Sequence, residues 1–287
     1  MSPTWRSETQ PSHPPIGPAG WLRAILRAVP LIVVTFGGLA ILLGLRLVER
    51  PVFGLVRPVT PFVTQGVCRA AFVILGIRHR IEGQPLTGEG AVVANHSSWL
   101  DIFALNARQR VYFVSKAEVA GWAGIGWLAR ATGTLFIERD RRQAPAHVRI
   151  LEARLHAGHQ LLFFPEGTST DGRRVLPFKP TLFAAFLSDA LRHDMVIQPV
   201  SVIYHAPAGA DPRCYGWWGD MAFGPHLLAT LSAARQGSVQ VVYHAPVAVA
   251  GFPDRKTLAA ELEGIVRAGV EERLIPAPHT ASDTMPG

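Results

Sequence analysis

Residues 28–45 carry no charged side chain. Such a run makes roughly 27 Å of helix at about 1.5 Å per residue, against a bilayer hydrocarbon core of about 30 Å. It is marginal as a single span, and Pro30, Gly37 and Gly38 weaken it further as a plain helix. Arginines flank both ends, Arg23 and Arg27 before it and Arg46 and Arg50 after it. Basic residues mark the cytoplasmic flank of a spanning helix, so equal basicity on both sides argues against a simple one-pass anchor. A second apolar stretch, residues 58–77, is interrupted by Arg69. Together the two predict a helical hairpin, residues 21–77, that dips into one leaflet and returns. A cleaved signal peptide is disfavoured because no small-x-small site follows the apolar run.

Composition agrees with a lipid-facing chain. Hydrophobic residues make up 48% and charged ones 17%, leaner in charge than an ordinary soluble protein. The net charge of +7 suits an anionic membrane surface or an acidic partner. The arginines are scattered and form no nucleic-acid module, so no nucleic acid is expected. Cys68 and Cys214 are too few for a disulfide framework and lack zinc-ligand spacing. Residues 1–20, rich in proline and polar residues, and the tail 275–287 are expected to be disordered or flexible.

From residue 77 short apolar runs alternate with helical patterns. Strands are predicted at 77–82, 91–94, 111–114, 134–138, 160–164, 196–204 and 239–244, and helices at 99–106, 144–157, 182–191, 226–234 and 255–270. This alternation predicts an α/β domain over 78–274, with a largely parallel sheet flanked by helices. Pro199 points to an edge or a bulge for its strand.

Chemistry gathers where these strands end. His96 follows the strand 91–94 and Asp101 lies five residues on, in the next helix. An aspartate so placed can hold imidazole Nδ1–H and leave Nε2 free as a base, which an alcohol needs to attack a thioester. Arg139 is the first cation past the apolar run 134–137 and suits a phosphate or carboxylate. Phe164-Pro165-Glu166-Gly167-Thr168-Ser169 runs from a strand into a polar loop that can hydrogen-bond a headgroup, with Lys179 close behind. Asn95 and Ser97, beside His96, complete the candidate substrate contacts.

Other classes lack their signatures. No G-x-S-x-G elbow occurs for a serine hydrolase, and no H-E-x-x-H for a zinc hydrolase, so no metal is expected. A non-catalytic membrane-associated lipid-binding protein would account for the charge and the anchor. It would not explain why His, Asp, Arg and Glu each sit at a strand end.

Taken in order, Asn95-His96-Ser97-Ser98-Trp99-Leu100-Asp101, Gly133 to Arg139, Phe164 to Thr168 and Ile197-Gln198-Pro199-Val200 resemble the four motifs of the glycerolipid acyltransferases, which include the 1-acylglycerol-3-phosphate acyltransferases. The resemblance runs from about residue 77 to 204. It implies an acyl-carrier-protein or coenzyme A thioester as co-substrate, with no cofactor and no covalent acyl-enzyme. It implies His96 as general base oriented by Asp101, and headgroup contacts from Arg139 and the Glu166 loop. Phosphate-acceptor members usually carry an arginine or similar group after Glu-Gly-Thr, and this chain has Ser169. The loop form, with Leu176-Pro177-Phe178-Lys179 and Trp217-Trp218-Gly219-Asp220-Met221, is more similar to lyso-ornithine lipid acyltransferases. The expected acceptor is therefore a zwitterionic lyso-aminolipid, with Arg139 for its carboxylate and Glu166 or Asp171 for its ammonium; the alternative is lysophosphatidate. The expected location is a bacterial-type inner membrane, with the catalytic domain facing the cytoplasm.

Overall fold

The segment Ala91–Ala94 (β2) has no polar side chain and is buried throughout. Ala91 and Val93 join the apolar cluster on one face of the sheet; Val92 and Ala94 join the cluster on the other. A strand buried on both faces belongs in the middle of a covered, mostly parallel sheet. The computed structural model, which describes residues 5–6, 9–11, 15–122, 124–137 and 144–274, has that architecture.

The strands are β1 (Arg78–Glu82), β2, β3 (Val111–Lys116), β4 (Leu135–Ile137), β5 (Gln160–Phe163), β6 (Val196–His205), β7 (Ser238–Tyr243) and β8 (Val247–Ala248). Their order is β1-β7-β6-β2-β5-β3-β4, with β8 paired to β6. Only the β6–β7 and β6–β8 pairings are antiparallel. The helices are α1 (Pro18–Phe53), α2 (Thr60–Leu75), α3 (Leu100–Arg108), α4 (Ile125–Thr132), α5 (Ala144–His156), α6 (Phe223–Ser232) and α7 (Arg255–Leu274). Residues 182–191, expected as an α-helix, overlap a 3-10 run, Pro180–Leu187. Its buried Phe183 and Phe186 are three apart, one turn of that tighter helix.

Pro199 does not mark an edge. β6 lies between β2 and β7, and Pro199 pairs with Val93. The Pro199 carbonyl accepts from His244 N–H at 3.1 Å, so its peptide edge faces the seam where β8 gives way to β7. The N–H that proline lacks therefore costs no bond to β2.

The apolar N-terminal run is longer than its uncharged centre. α1 has 36 residues, or about 54 Å at about 1.5 Å per residue, because the flanking arginines lie within the helix. Three of the four do not serve as free flank charges. Arg23 donates to Ser232 O, and Arg27 to Leu231 O and Ala233 O, the unpaired carbonyls ending α6. At the other end Arg46 bonds Gly54 O and Glu49. Arg57, in the turn to α2, donates to Ala131 O in α4. On α2, Gln65 and Arg69 donate to Arg108 O and Ala107 O, ending α3. These side chains dock the hairpin on the domain by capping three of its helices.

α2 is also a core element. Gln65, Cys68, Phe72 and Leu75 form a buried stripe at helical spacing, and Cys68, Phe72 and Leu75 join the cluster containing Leu100, Ala104 and Val92. Removing residues up to 77 would thus uncover the sheet as well as take away the exposed apolar surface of α1. α1 is the outer layer, with Leu22, Leu26, Val33, Leu47 and Val52 all exposed. By length and composition it could cross a membrane, and only 11% of its most apolar stretch is buried. Of residues 1–20, expected to be disordered, α1 takes up those from Pro18. Trp5 lies against Trp218 with ring centroids 5.9 Å apart.

The hairpin turn is held by Glu49, only 4% exposed. Its carboxylate accepts from Val59 N–H (2.6 Å), Thr60 N–H (2.9 Å) and the Thr60 hydroxyl (2.7 Å), capping α2. Glu49→Leu leaves these donors without an acceptor. We expect a stability loss of about 1–3 kcal/mol, read by thermal or denaturant unfolding in detergent. An unchanged midpoint would mean that the turn is held by packing alone.

Candidate active site

The C-terminal ends of β2, β5 and β6 meet at one edge of the sheet, where groups gather in folds of this kind. The side chain of Asn95, the first residue past β2, extends the ladder one step. Its Nδ2 donates to Val202 O (2.9 Å) and its Oδ1 accepts from Val202 N–H (2.8 Å). Asn95 is 1% exposed with both amide ends occupied by Val202, so it anchors the turn. Ser97 is fully buried as well, and its hydroxyl has no hydrogen-bond partner among the described residues. Its carbonyl accepts from Trp217 N–H at 2.8 Å.

His96 is brought to Asp101 as its spacing predicts. Nδ1 lies 2.7 Å from Asp101 Oδ2, and the same oxygen accepts from Ser97 N–H (2.8 Å) and Ser98 N–H (3.0 Å) just ahead of α3. Asp101 Oδ1 accepts from the Tyr204 hydroxyl at 2.7 Å. The carboxylate is fully buried and the imidazole is 21% exposed. The ring stacks on Phe164, with centroids 4.1 Å apart and planes 14° from parallel. Nε2 has no hydrogen-bond partner among the described residues, so the face turned away from Asp101 is open to a reactant.

Glu166 is turned into the protein. It is 2% exposed; Oε1 accepts from His96 N–H (2.7 Å) and Oε2 from Leu176 N–H (2.8 Å). It clamps the His96 backbone to the loop after β5, and Thr170 N–H, bonded to His96 O at 2.9 Å, closes the same junction. Burial pushes the Glu166 carboxyl up to about 8, against the two amide donors and with help from the negative charge of Asp101. Asp171, the other expected ammonium partner, is 2% exposed and paired with Arg174 at 3.1 Å. The two carboxylates proposed for an ammonium are therefore both occupied inside the protein.

The outer face of the loop is built from the remaining candidates. Gly167 has φ +70, and a side chain there would collide with the Lys179 ammonium, so glycine lets the lysine fold over the turn. Lys179 N–H bonds Pro165 O at 3.0 Å. Thr168 and Ser169 are half-buried, and the Thr168 hydroxyl accepts from Trp5 N–H at 3.5 Å. Arg139 lies outside the described residues. Tyr204 and Phe164 escaped the sequence reading. Each looks like an ordinary apolar strand residue, and nothing in the local pattern signals its contact with the catalytic pair.

The comparisons agree with this geometry. Residues 77–203 match the family model described as Acyltransferase. The chain is 55% identical over 271 residues to a lyso-ornithine lipid O-acyltransferase of Rhodobacter capsulatus, covering 94% of this chain and 98% of that protein. It is 38% identical over 205 residues to a lyso-ornithine lipid O-acyltransferase of Brucella abortus, covering 68% and 74%. The crystal structure of a 1-acyl-sn-glycerophosphate acyltransferase from Thermotoga maritima superposes with a TM-score of 0.64 at 22% identity, over 90% of this chain and 98% of that one, a likeness of fold.

The raised Glu166 value has a testable sign. The folded protein keeps this proton between its ordinary 4.5 and about 8, where the unfolded chain releases it. The stabilisation is complete below the lower value and is lost as pH rises through the upper one. Wild-type melting temperature should fall from about pH 5 to pH 8 by an amount that Glu166→Gln, which cannot ionise, reduces. Parallel wild-type and variant curves would show that Glu166 is ionised across that range. The similarity to the Rhodobacter capsulatus protein along nearly its whole length shows that the chain belongs to the acyltransferase family, as an enzyme that transfers acyl groups.

Proposed function

We propose that this chain is a membrane-associated lyso-ornithine lipid O-acyltransferase, with His96 as its general base. The observation that carries the acceptor assignment is the 55% identity to the Rhodobacter capsulatus enzyme across 98% of its length. The base assignment is supported by an imidazole whose Nδ1 is held by a buried carboxylate while Nε2 stays open. The lysolipid hydroxyl gives its proton to Nε2 as its oxygen attacks the thioester carbonyl. The new O–C bond forms, the C–S bond breaks, and the imidazolium returns the proton to the departing thiolate. Asp101 orients the ring and supports its transient charge without taking the proton.

Acyl carrier protein or coenzyme A is the proposed donor carrier. Either is cytoplasmic, so we place the catalytic edge on the cytoplasmic side of the inner membrane. The hairpin is proposed to lie in one leaflet. Arg23 and Arg27 tie the start of α1 to α6, and Arg57 ties the turn after it to α4. A helix fastened to one domain at both ends lies along that domain instead of leaving it across a bilayer. Exposed Trp21, Trp122 and Trp127 suit the headgroup layer. For the acceptor, Thr168, Ser169 and Lys179 offer two hydroxyls and one cation on the loop face, fewer charges than a phosphate clamp wants. Arg139 is retained as the proposed second cation.

His96→Ala should lower turnover by about 10²–10⁴-fold while leaving the melting temperature close to wild type. A variant that keeps most of its activity would remove the base from the scheme. The acceptor is tested by competition: purified enzyme, one acyl donor, and equal lyso-ornithine lipid and lysophosphatidate, with products resolved by mass spectrometry. Diacylated ornithine lipid should predominate, and predominant phosphatidate would overturn the assignment. For topology, single cysteines placed near Arg6 and in α7 should be labelled from the same side of sealed vesicles. Labelling from opposite sides would mean a single pass.

A further inference from the structure

Tyr204 has no part in the mechanism above, yet it reaches the catalytic pair because β6 outruns its neighbour. Ala94, the last residue of β2, pairs with Val200, and β6 continues to His205. Tyr204 therefore lies over the turn that carries His96. Its ring packs in the same apolar cluster as Val200 and Val202, 4% exposed, with Tyr215 at 5.7 Å between centroids. A phenylalanine would bury the same apolar surface without a hydroxyl to satisfy, so the hydroxyl needs a separate reason. Its bond is to Asp101 Oδ1 at 2.7 Å. The other oxygen, Oδ2, takes His96 and two backbone amides. Among the described residues Tyr204 is the donor to Oδ1.

We propose that Tyr204 is a positioning residue that sets, through Asp101, both the orientation and the basicity of His96. The proposal rests on the reading of His96 as general base. A hydrogen bond donated to a carboxylate draws off part of its negative charge. Less of that charge then faces the imidazolium that forms as His96 takes the proton, so the phenol tunes how strongly the carboxylate supports it. The same bond fixes the plane of the carboxylate, so Oδ2 stays on Nδ1. Burial and the charge of Asp101 hold the phenol well above its ordinary range, which keeps it a donor throughout. The titratable groups facing the pair are Asp101 from α3, Tyr204 from β6 and Glu166 from the loop after β5. Arg267 of α7 acts on Glu166, and Tyr215 acts on Tyr204.

The test uses the full-length enzyme in one detergent or vesicle composition, with kcat and KM measured across pH. Tyr204→Phe should lower kcat by roughly tenfold, leave KM for donor and acceptor within about twofold, and move the acidic limb of kcat/KM up by about half a pH unit. A ring-fluorinated tyrosine at 204, a more acidic phenol and so a stronger donor, should move the limb down; it carries the test alone if Tyr204→Phe fails to fold. Limbs that coincide in all proteins, whatever the melting temperatures, would make Tyr204 a packing residue and overturn the proposal. A limb that disappears in Glu166→Gln belongs to Glu166 and overturns it too. His96→Ala separates the two readings. If that variant is dead and the limbs coincide, only the Tyr204 role fails; if it turns over normally, the base assignment fails with it.

Discussion

The buried carboxylate of Asp101 is the point on which the site depends. Carried on α3, it accepts from an imidazole and two backbone amides of the turn after β2 and from a phenol at the end of β6. A buried charge is tolerated only when its lone pairs are met. Meeting them here forces three elements into one arrangement. On the other side of His96, Glu166 joins the backbone of the turn to the loop after β5. Glu166, which first suggests a contact to a ligand, instead holds the backbone of one histidine, whose Nε2 has no partner among the described residues.

The same economy governs the membrane face. An arginine in an apolar helix suggests a charge waiting for water or a lipid headgroup. Arg23, Arg27, Arg57 and Arg69 each find a carbonyl in or near the last turn of a domain helix, where the helix dipole favours a cation. The polar side of the hairpin thus faces protein and the apolar side faces outward. Because α2 also supplies Phe72 and Leu75 to the core, the catalytic edge and the lipid-facing surface belong to one packed body.

Much of this was legible in the chain. The alternation of apolar strands and helices foretold the α/β sheet, and the five-residue spacing from His96 to Asp101 foretold their pairing, since both are local consequences of residue order. Pro199 misled because the rule that keeps proline from central strands assumes a partner on each side of every residue; here the strand changes partner beside it. α1 runs past its uncharged centre because a guanidinium inside the helix can fold back onto a neighbouring carbonyl.

By itself the sequence determined the class of fold, the apolar hairpin, the pairing of His96 with Asp101 and the resemblance to acyl-transferring enzymes, because those depend on periodicity and short spacings along one chain. Tertiary structure alone decided what each polar group does. Asn95, Glu166 and Asp171 look like binding residues in the sequence, yet each is buried and satisfied from within. Tyr204 looks like core, yet it completes the carboxylate 103 positions away. The physical reason is that a hydrogen-bonding side chain is claimed by whichever partner lies nearest in space once water is excluded, and that partner is set by strand register and helix packing.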